Sequence, residues 1–284
     1  MNATTIGLLH PGRMGAAMGR ELVGNGHRVL WQPDGRSAAT AERAGKAGLE
    51  QAGDLASACD VIISLCPPAN AEQVAEGVAA TAFGGVFVEA NAISPARARR
   101  IGGLADRVVD GCVIGSPPSA GNVARLYLSG PERDVATVAA LFAGTAVEAS
   151  VIEGGIGQAS ALKMAYGSYT KATGALAAVS HALAATYGVG DELLTEARKI
   201  TGHQLAAPGN LPGVAARAWR WAPEMDEVAA TLADAGLPSE LAEGAAAVFR
   251  RWDEDRDDFE LALPETLAHL RAAGLSDRST DPAR

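Results

Sequence analysis

Residues 4–19 read TTIGLLHPGRMGAAMG, and the reading of this stretch decides the fold. An apolar run ends at Leu9, a proline and a glycine follow, and an Ala-rich segment suited to a helix starts near Arg13. Strand, Gly-rich turn and helix in that order are the setting of the dinucleotide-binding fingerprint G-x-G-x-x-G. Gly12 and Gly15 take its second and third places, while His10 stands in the first. Gly12 would let the backbone approach a pyrophosphate, and Gly15 would let the helix pack closely on the sheet. The phosphates would rest on the free N–H groups and positive dipole end of the helix. A residue before proline is driven toward extended backbone, and Pro followed by Gly suits the centre of a type II turn. His10-Pro11-Gly12-Arg13 is therefore expected to turn as type II without a first glycine.

The end of the second strand names the coenzyme. An acid there bonds the adenine ribose of NAD, whereas an Arg accommodates the 2′-phosphate of NADP. This strand ends Trp31-Gln32 with no acid at its tip, and Arg36-Ser37 follow shortly after Asp34. A cation beside a hydroxyl suits a phosphate, and Arg13 in the first turn of the loop's helix would add to it. NADP(H) is expected in preference to NAD(H).

Outward from the loop, short apolar runs alternate with helix-forming segments: RVLW (28–31), DVIISL (60–65), GVFVEA (85–90) and RVVDGCVIG (107–115). Strands separated by helices of this length argue for βαβ units and a parallel sheet. Two later pieces, ARLYLSG (124–130) and AVEASVI (146–152), complete it. Residues 158–187 contain no proline and are expected to form one long helix. Only helices are expected beyond it, broken at APGNLPG (207–213) and around 236–238. The fold class is α/β, a Rossmann-type doubly wound domain over residues 1–153 followed by an all-α domain over 154–284. The final LSDRSTDPAR is polar and expected to fray.

Composition narrows the class. Of 284 residues, 48% are hydrophobic and 20% charged, which suits a globular chain with a substantial core. The net charge of −9 and the absence of a basic block argue against nucleic-acid binding. Cys59, Cys66 and Cys112 form no C-x-x-C pair, so a reducing compartment is the economical reading. No signal peptide is expected from the opening residues, nor a membrane span, so the expected location is the cytoplasm. His27, His181, His203 and His269 show no ligand spacing, and no metal site is expected.

Several segments taken together resemble one family. GLLHPGRMGAAMG is similar to the GxIGLGxMGxxMA of the β-hydroxyacid dehydrogenases and their relatives, the phosphogluconate dehydrogenases and imine reductases. DVIISLCPP resembles the family's strand and Pro-bearing loop beside the nicotinamide, VEANAISPARA its VDxSTISPxxx, and VVDGCVIGSPP its VDAPVSGG. GGIGQASALKMAYGS resembles the GxGxxxKxxxN helix that carries the catalytic lysine. The segments ASALKMAYGSYTK and RAWRWAPEMDEVAATLADAGLP resemble an uncharacterised helical C-terminal domain of phosphogluconate-dehydrogenase-like proteins.

The resemblance implies roles. Lys163 falls at the lysine that gives a proton to the carbonyl oxygen in reduction and takes it back in oxidation. The apolar, Ala-rich face around it is expected to lower its ammonium pKa toward the working pH. Asn91 sits at the family's Ser, near nicotinamide and substrate; Met14 would lie near the nicotinamide, and Cys66-Pro67-Pro68 along the coenzyme. The departures are as specific. Gly167 stands where the family has a substrate-holding Asn, and Tyr166 where phosphogluconate enzymes have His, so phosphogluconate is not the expected substrate. Tyr166, Tyr169 and Thr170 lie within two helical turns of Lys163 and would compensate. The carboxylate-cradling SGG reads Ile114-Gly115-Ser116. In RAWRW (217–221), Trp219 and Trp221 with two arginines would wall an aromatic substrate pocket at the domain interface. Tryptophans two apart cannot share a helix face, so at least one is expected to pack.

The first expectation for activity is an NADP(H)-dependent oxidoreductase interconverting a carbonyl and an alcohol, with hydride transfer at the nicotinamide and Lys163 as general acid and base. An imine reductase on the same fold is the alternative, and a coenzyme-binding sensor without turnover is a second. A small-molecule substrate is expected. A homodimer through the long helix is implied by the resemblance, and an Ala-rich helix that must bury more than one face agrees with it.

Overall fold

The computed structural model describes residues 3–199 and 207–271. The chain divides into two compact units, Met1–Ala165 and Tyr166–Arg284. In the first, strands and helices alternate: β1 (Thr5–Leu9), α1 (Arg13–Gly24), β2 (Arg28–Trp31), α2 (Ala38–Lys46), a two-residue β3 (Glu50–Gln51), β4 (Val61–Ser64), α3 (Ala71–Ala79), β5 (Val86–Glu89), α4 (Pro95–Gly102), β6 (Val108–Ile114), β7 (Ala124–Ser129), α5 (Glu132–Leu141) and β8 (Val147–Val151). One eight-stranded sheet runs β3-β2-β1-β4-β5-β6-β7-β8. Its central strands are buried throughout, as continuous apolar runs in a sheet covered on both faces must be. Alternate residues feed two cores. Ile6, Leu8, Val61, Ile63, Val86 and Val88 enter one; Leu9, Ile62, Phe87 and Val108 enter the other with α3 and α4.

Two features depart from the expected sheet. β3 pairs with β2 through Leu30–Glu50 and Trp31–Gln51, and a two-residue exposed segment carries no apolar pattern to announce it. β6 and β7 run antiparallel, with Gly111 opposite Leu128, while every other pair is parallel. The segment between β6 and β7 holds no helix to carry the chain back across the sheet, so β7 returns beside β6.

The long helix α6 (Gln158–Tyr187) forms over the residues expected of it. Its start is held by Asp110 of β6. One carboxylate oxygen of Asp110 accepts from the backbone N–H of Gly157 at 2.8 Å and of Ser160 at 3.1 Å, and from the Ser129 hydroxyl at 3.0 Å. The other accepts from the Ser160 hydroxyl at 2.6 Å. Ser129 in turn accepts from the Ala159 N–H at 3.0 Å. A helix start carries orphan donors and a positive dipole end, which a buried carboxylate satisfies together. The first turns of α6 therefore belong to the sheet unit.

The second unit is helical: the rest of α6, then α7 (Gly190–Ala197), α8 (Leu211–Asp234), α9 (Glu240–Arg250) and α10 (Leu263–Ala268). Gly188, at φ +68°, ends α6 where the sequence places its end. Phe249 and Trp252 are fully buried, and the Trp252 indole donates to the Thr266 carbonyl at 2.8 Å. No described helix is long and apolar enough to cross a membrane. The expected fraying of 275–284 lies outside the described residues, as does His203.

Replacing Asp110 with Ala is expected to cost about 3 kcal/mol or more, because it orphans buried backbone donors as well as losing charge-assisted bonds. Urea unfolding of the variant measures this. A loss below about 1 kcal/mol would mean that α6 does not depend on the anchor.

Candidate functional site

β1 lies between β2 and β4, so the strand order reverses beside its C-terminal end, where open α/β sheets bind their ligands. The loop His10–Gly12 stands there. The expected type II turn is not formed. Gly12 has φ −69° and ψ −166°, whereas a type II turn needs positive φ at that place. The reversal falls instead on His10, at φ +63°, and the Gly12 N–H donates to the His10 carbonyl at 2.7 Å across Pro11, as in a γ-turn. The reason lies in the helix: α1 begins at Arg13, so Gly12 must be extended as its N-cap, and the left-handed bend moves back one step. His10 thus adopts the conformation that a first glycine would supply freely.

The two glycines are needed for different reasons. A Cβ on Gly15 would stand 3.0 Å from the His10 carbonyl oxygen, so close packing of the loop on α1 excludes one. At Gly12 the nearest atom to an added Cβ is 3.9 Å away, and its φ is open to any residue. Nothing among the described residues therefore demands glycine at 12. The bare backbone faces open space at a helix start with no side-chain cap and no acid in its first turn. That arrangement fits a pyrophosphate.

Beyond β2, Gly35 at φ +71° turns the chain so that the Arg36 N–H donates to the Pro33 carbonyl at 3.0 Å. Arg36 is exposed, and the Ser37 hydroxyl accepts from Thr40 N–H at 3.3 Å as the cap of α2. Gln32 is tied to the Gly53 carbonyl at 2.7 Å. Burial, followed by the charge of Arg36, lowers the His10 pKa to about 4, so its ring is neutral at physiological pH. Its Nδ1 is buried with no hydrogen-bond partner among the described residues. Arg13 is exposed at the start of α1, Pro11 is buried, and Met14 packs partly buried against the sheet core.

At the ends of β4 and β5 a second cluster forms. Asn91 is buried, and both ends of its amide are engaged. Its Oδ1 accepts from the Cys66 N–H, and its Nδ2 donates to the Ser64 hydroxyl at 3.1 Å. The Asn91 N–H donates to Glu89 Oε1 at 3.0 Å. Pro67 is exposed, Pro68 opens a short 3₁₀ turn, and the Pro68 carbonyl accepts from Arg97 at 2.9 Å. Glu89 is only 1% exposed, and its Oε2 has no partner among the described residues. Burial first, then the nearby Asp110, push its pKa up to about 8 against the opposing pull of the Asn91 bonds. Asn91 is therefore a clamp holding the Cys66 loop.

Lys163, half-buried in the second turn of α6, donates to the Val113 carbonyl near the end of β6 at 3.0 Å. Ile114 is buried as the last residue of β6; Gly115 (φ +110°) and Ser116 follow it, exposed. Asn122 Nδ2 donates to the carbonyls of Ser116 and Pro117, each at 2.9 Å, and Arg20 of α1 donates to that of Pro118 at 2.7 Å. These anchors pin the loop that follows β6.

In the helical unit, Tyr166 and Tyr169 are exposed, and the Thr170 hydroxyl donates to the Tyr166 carbonyl at 2.9 Å. Gly167 is buried, and a Cβ there would lie 3.6 Å from both Glu224 Oε1 and Lys171 Nζ. That pair, at 2.7 Å and 11% exposed on each side, fills the space an Asn at 167 would need. The two tryptophans separate, as their spacing requires. Trp219 lies under the Arg256 guanidinium at 3.7 Å, and Trp221 packs edge-on against Phe249 and lines a cavity. Sequence reasoning passed over Glu89, Asp110, Asn122 and Glu224. All but Asn122 lie inside quoted segments, so their position was the available signal.

Comparison with known proteins follows the same division. Residues 5–92 match the family described as NADP oxidoreductase, coenzyme F420-dependent, and residues 184–252 match a domain of unknown function, DUF1932. No curated protein sequence matches the chain. Among solved structures, one is a conserved protein of unknown function described as structurally similar to 3-hydroxyacid dehydrogenases. It is 25% identical, with 88% of this chain and 97% of that one covered at a TM-score of 0.67. The 3-hydroxyisobutyrate dehydrogenase of Mycobacterium tuberculosis, solved with L-serine, is 21% identical over 95% of this chain and 100% of its own, at 0.73. An imine reductase from Bacillus cereus is 18% identical over 87% and 92%, at 0.57. The fold is that of the 3-hydroxyacid dehydrogenases.

Glu89 has a pKa raised in the folded state, from 4.5 to about 8. Between those values the folded protein holds a proton that the unfolded chain has released, so stability falls as pH rises through the window. Urea unfolding at about pH 5 and about pH 8 is expected to show that fall, and Glu89→Gln to flatten it. An unchanged slope in the variant would place the titration elsewhere.

Proposed function

We propose that this chain is an NADP(H)-dependent oxidoreductase that moves a hydride between the nicotinamide and a small carbonyl or alcohol substrate, with Lys163 as general acid and base. The observation that carries the reading is Gly12: a glycine the protein itself does not require, set at an uncapped helix start at the switch point of a doubly wound sheet. The family description for residues 5–92 and the names of the similar structures support it.

When bound, the coenzyme supplies the hydride chemistry. The Gly12 backbone and the start of α1 hold its pyrophosphate. Exposed Arg36, with Arg13 and the Ser37 hydroxyl, favours the 2′-phosphate. His10, Met14, Gly15 and the Cys66-Pro67-Pro68 segment shape the rest of the coenzyme's bed. The Lys163 ammonium is held by the Val113 carbonyl on a helix anchored through Asp110, which fixes where its proton is delivered. Asn91 acts through Cys66 as a positioning residue. Gly115 and Ser116, exposed after β6, stand on the substrate side of the first unit, and Trp219 of the helical unit serves packing. Gly167 in place of the family's Asn favours a second reading, reduction of an imine, in which the same lysine-bearing helix serves a nitrogen.

A homodimer through α6 belongs to the same proposal. Tyr166, Tyr169, Leu176, Val179 and Tyr187 are all exposed, and their spacing places them along one side of that helix. A stripe of this kind on a 30-residue helix is an expected association surface.

NADPH oxidation over a panel of ketones, aldehydes, hydroxyacids and imines tests the reading. Lys163→Met is expected to lower kcat by about a hundredfold to ten-thousandfold while NADPH affinity stays the same. Unchanged turnover would remove the lysine from the chemistry. Arg36→Ala is expected to weaken NADPH binding roughly tenfold or more and to leave NADH alone. Equal losses for both coenzymes would refute the phosphate site.

A further inference from the structure

The helical unit contains a cavity of about 380 Å³ with a composition of its own. Thr170 and Gly174 of α6, Gly213, Arg217 and Trp221 of α8, and Phe259 line it. The α8 residues are spaced by four, so they share one helix face; so are Thr170 and Gly174.

Two of these residues are glycines inside helices, where each costs about 1 kcal/mol relative to Ala. At Gly174 an added Cβ would meet nothing within 4 Å. At Gly213 it would press on Arg217 Nη1 at 2.9 Å. One glycine thus widens the cavity, and the other leaves room for the guanidinium to lie along it. The guanidinium donates to the Gly213 carbonyl and rests over the Phe259 ring at 4.8 Å. Among the described residues it meets no carboxylate, in a chain with net charge −9. Lys171 beside it is already neutralised by Glu224. An arginine laid into an aromatic-walled cavity without an acid partner offers its fork to an anion from outside.

We infer that this cavity is a binding site for a small organic carboxylate with a flat apolar body, the carboxylate on Arg217 and the body between Trp221 and Phe259. The site stands within the helical unit and does not depend on the coenzyme reading. Its volume suits a single ring with a short side chain.

The test is calorimetric titration of the full chain, without coenzyme, using phenylacetate as probe and phenylacetamide as its neutral isostere. Phenylacetate is expected to bind saturably, and the amide about tenfold more weakly or worse, as loss of a charge-assisted bond predicts. Arg217→Met is expected to give the same loss for phenylacetate. Gly174→Leu, which raises helix propensity while filling the space, is expected to abolish binding with Arg217 intact, so the result does not hang on one variant folding. No saturable binding of phenylacetate, an amide that binds as tightly, or unaltered affinity in either variant would each overturn the inference. Because coenzyme is absent throughout, these outcomes leave the oxidoreductase reading untouched.

Discussion

A row of buried polar side chains crosses the sheet and ties the two candidate functional elements of the first unit to one frame. Ser64, Glu89, Asp110 and Ser129 are register partners on β4, β5, β6 and β7, and none is more than 1% exposed. Burying such groups is unfavourable unless each finds a partner. They find them beyond the strands. At one end Ser64 and Glu89 bond to Asn91, and Asn91 holds the loop at Cys66. At the other, Asp110 and Ser129 bond to the first backbone donors of α6, the helix that carries Lys163. A displacement at either end is resisted by the row, because moving one member strands its neighbours. Rigid support of this kind is what a site needs if a proton donor is to sit within a few tenths of an ångström of its target.

Electrostatics within the row follow from its burial. Two carboxyl groups stand side by side at Glu89 and Asp110, and the Glu89 pKa is pushed up first by burial and then by the nearby Asp110. Asp110 accepts four hydrogen bonds, three of them from N–H or O–H groups on a single oxygen. Glu89 accepts one, from Asn91, and retains its proton to about pH 8. Hydrogen-bond supply along the row is thus uneven, and most of it goes to the side chain that anchors α6.

The sequence made the strands and the long helix legible because their signals are local. Apolar runs such as VIIS and VFVE, bounded by turn residues, name buried strands wherever they fall. Residues 158–187 lack any breaker, and the helix has those bounds. What was not legible depends on partners far along the chain. Asp110 meets Gly157 across 47 positions and Ser160 across 50, and neither residue type nor spacing announces a helix anchor at that distance. The turn at His10 failed for a different reason. Two local rules competed there: the pre-proline preference for extended backbone and the need of α1 to start from an extended Gly12. The helix won, and His10 bears the left-handed strain, of order 1 kcal/mol for a residue with a Cβ. Part of that is offset by the short hydrogen bond from the Gly12 N–H.

Gly167 shows how a local departure is answered elsewhere in the fold. Read alone, a glycine inside a long helix is a loss of helix stability. Glu224 of α8 and Lys171, one turn further along α6, bring a carboxylate and an ammonium to within 3.6 Å of where its Cβ would be. A longer side chain at 167 would have to displace a half-desolvated ion pair. The pair also lies against the Trp221 ring, with Lys171 Nζ 5.9 Å from its centroid. Glycine at 167, acid at 224 and base at 171 are thus one unit that only works together. Position 167 is surrounded by polar groups, one from α8 and one from α6 itself.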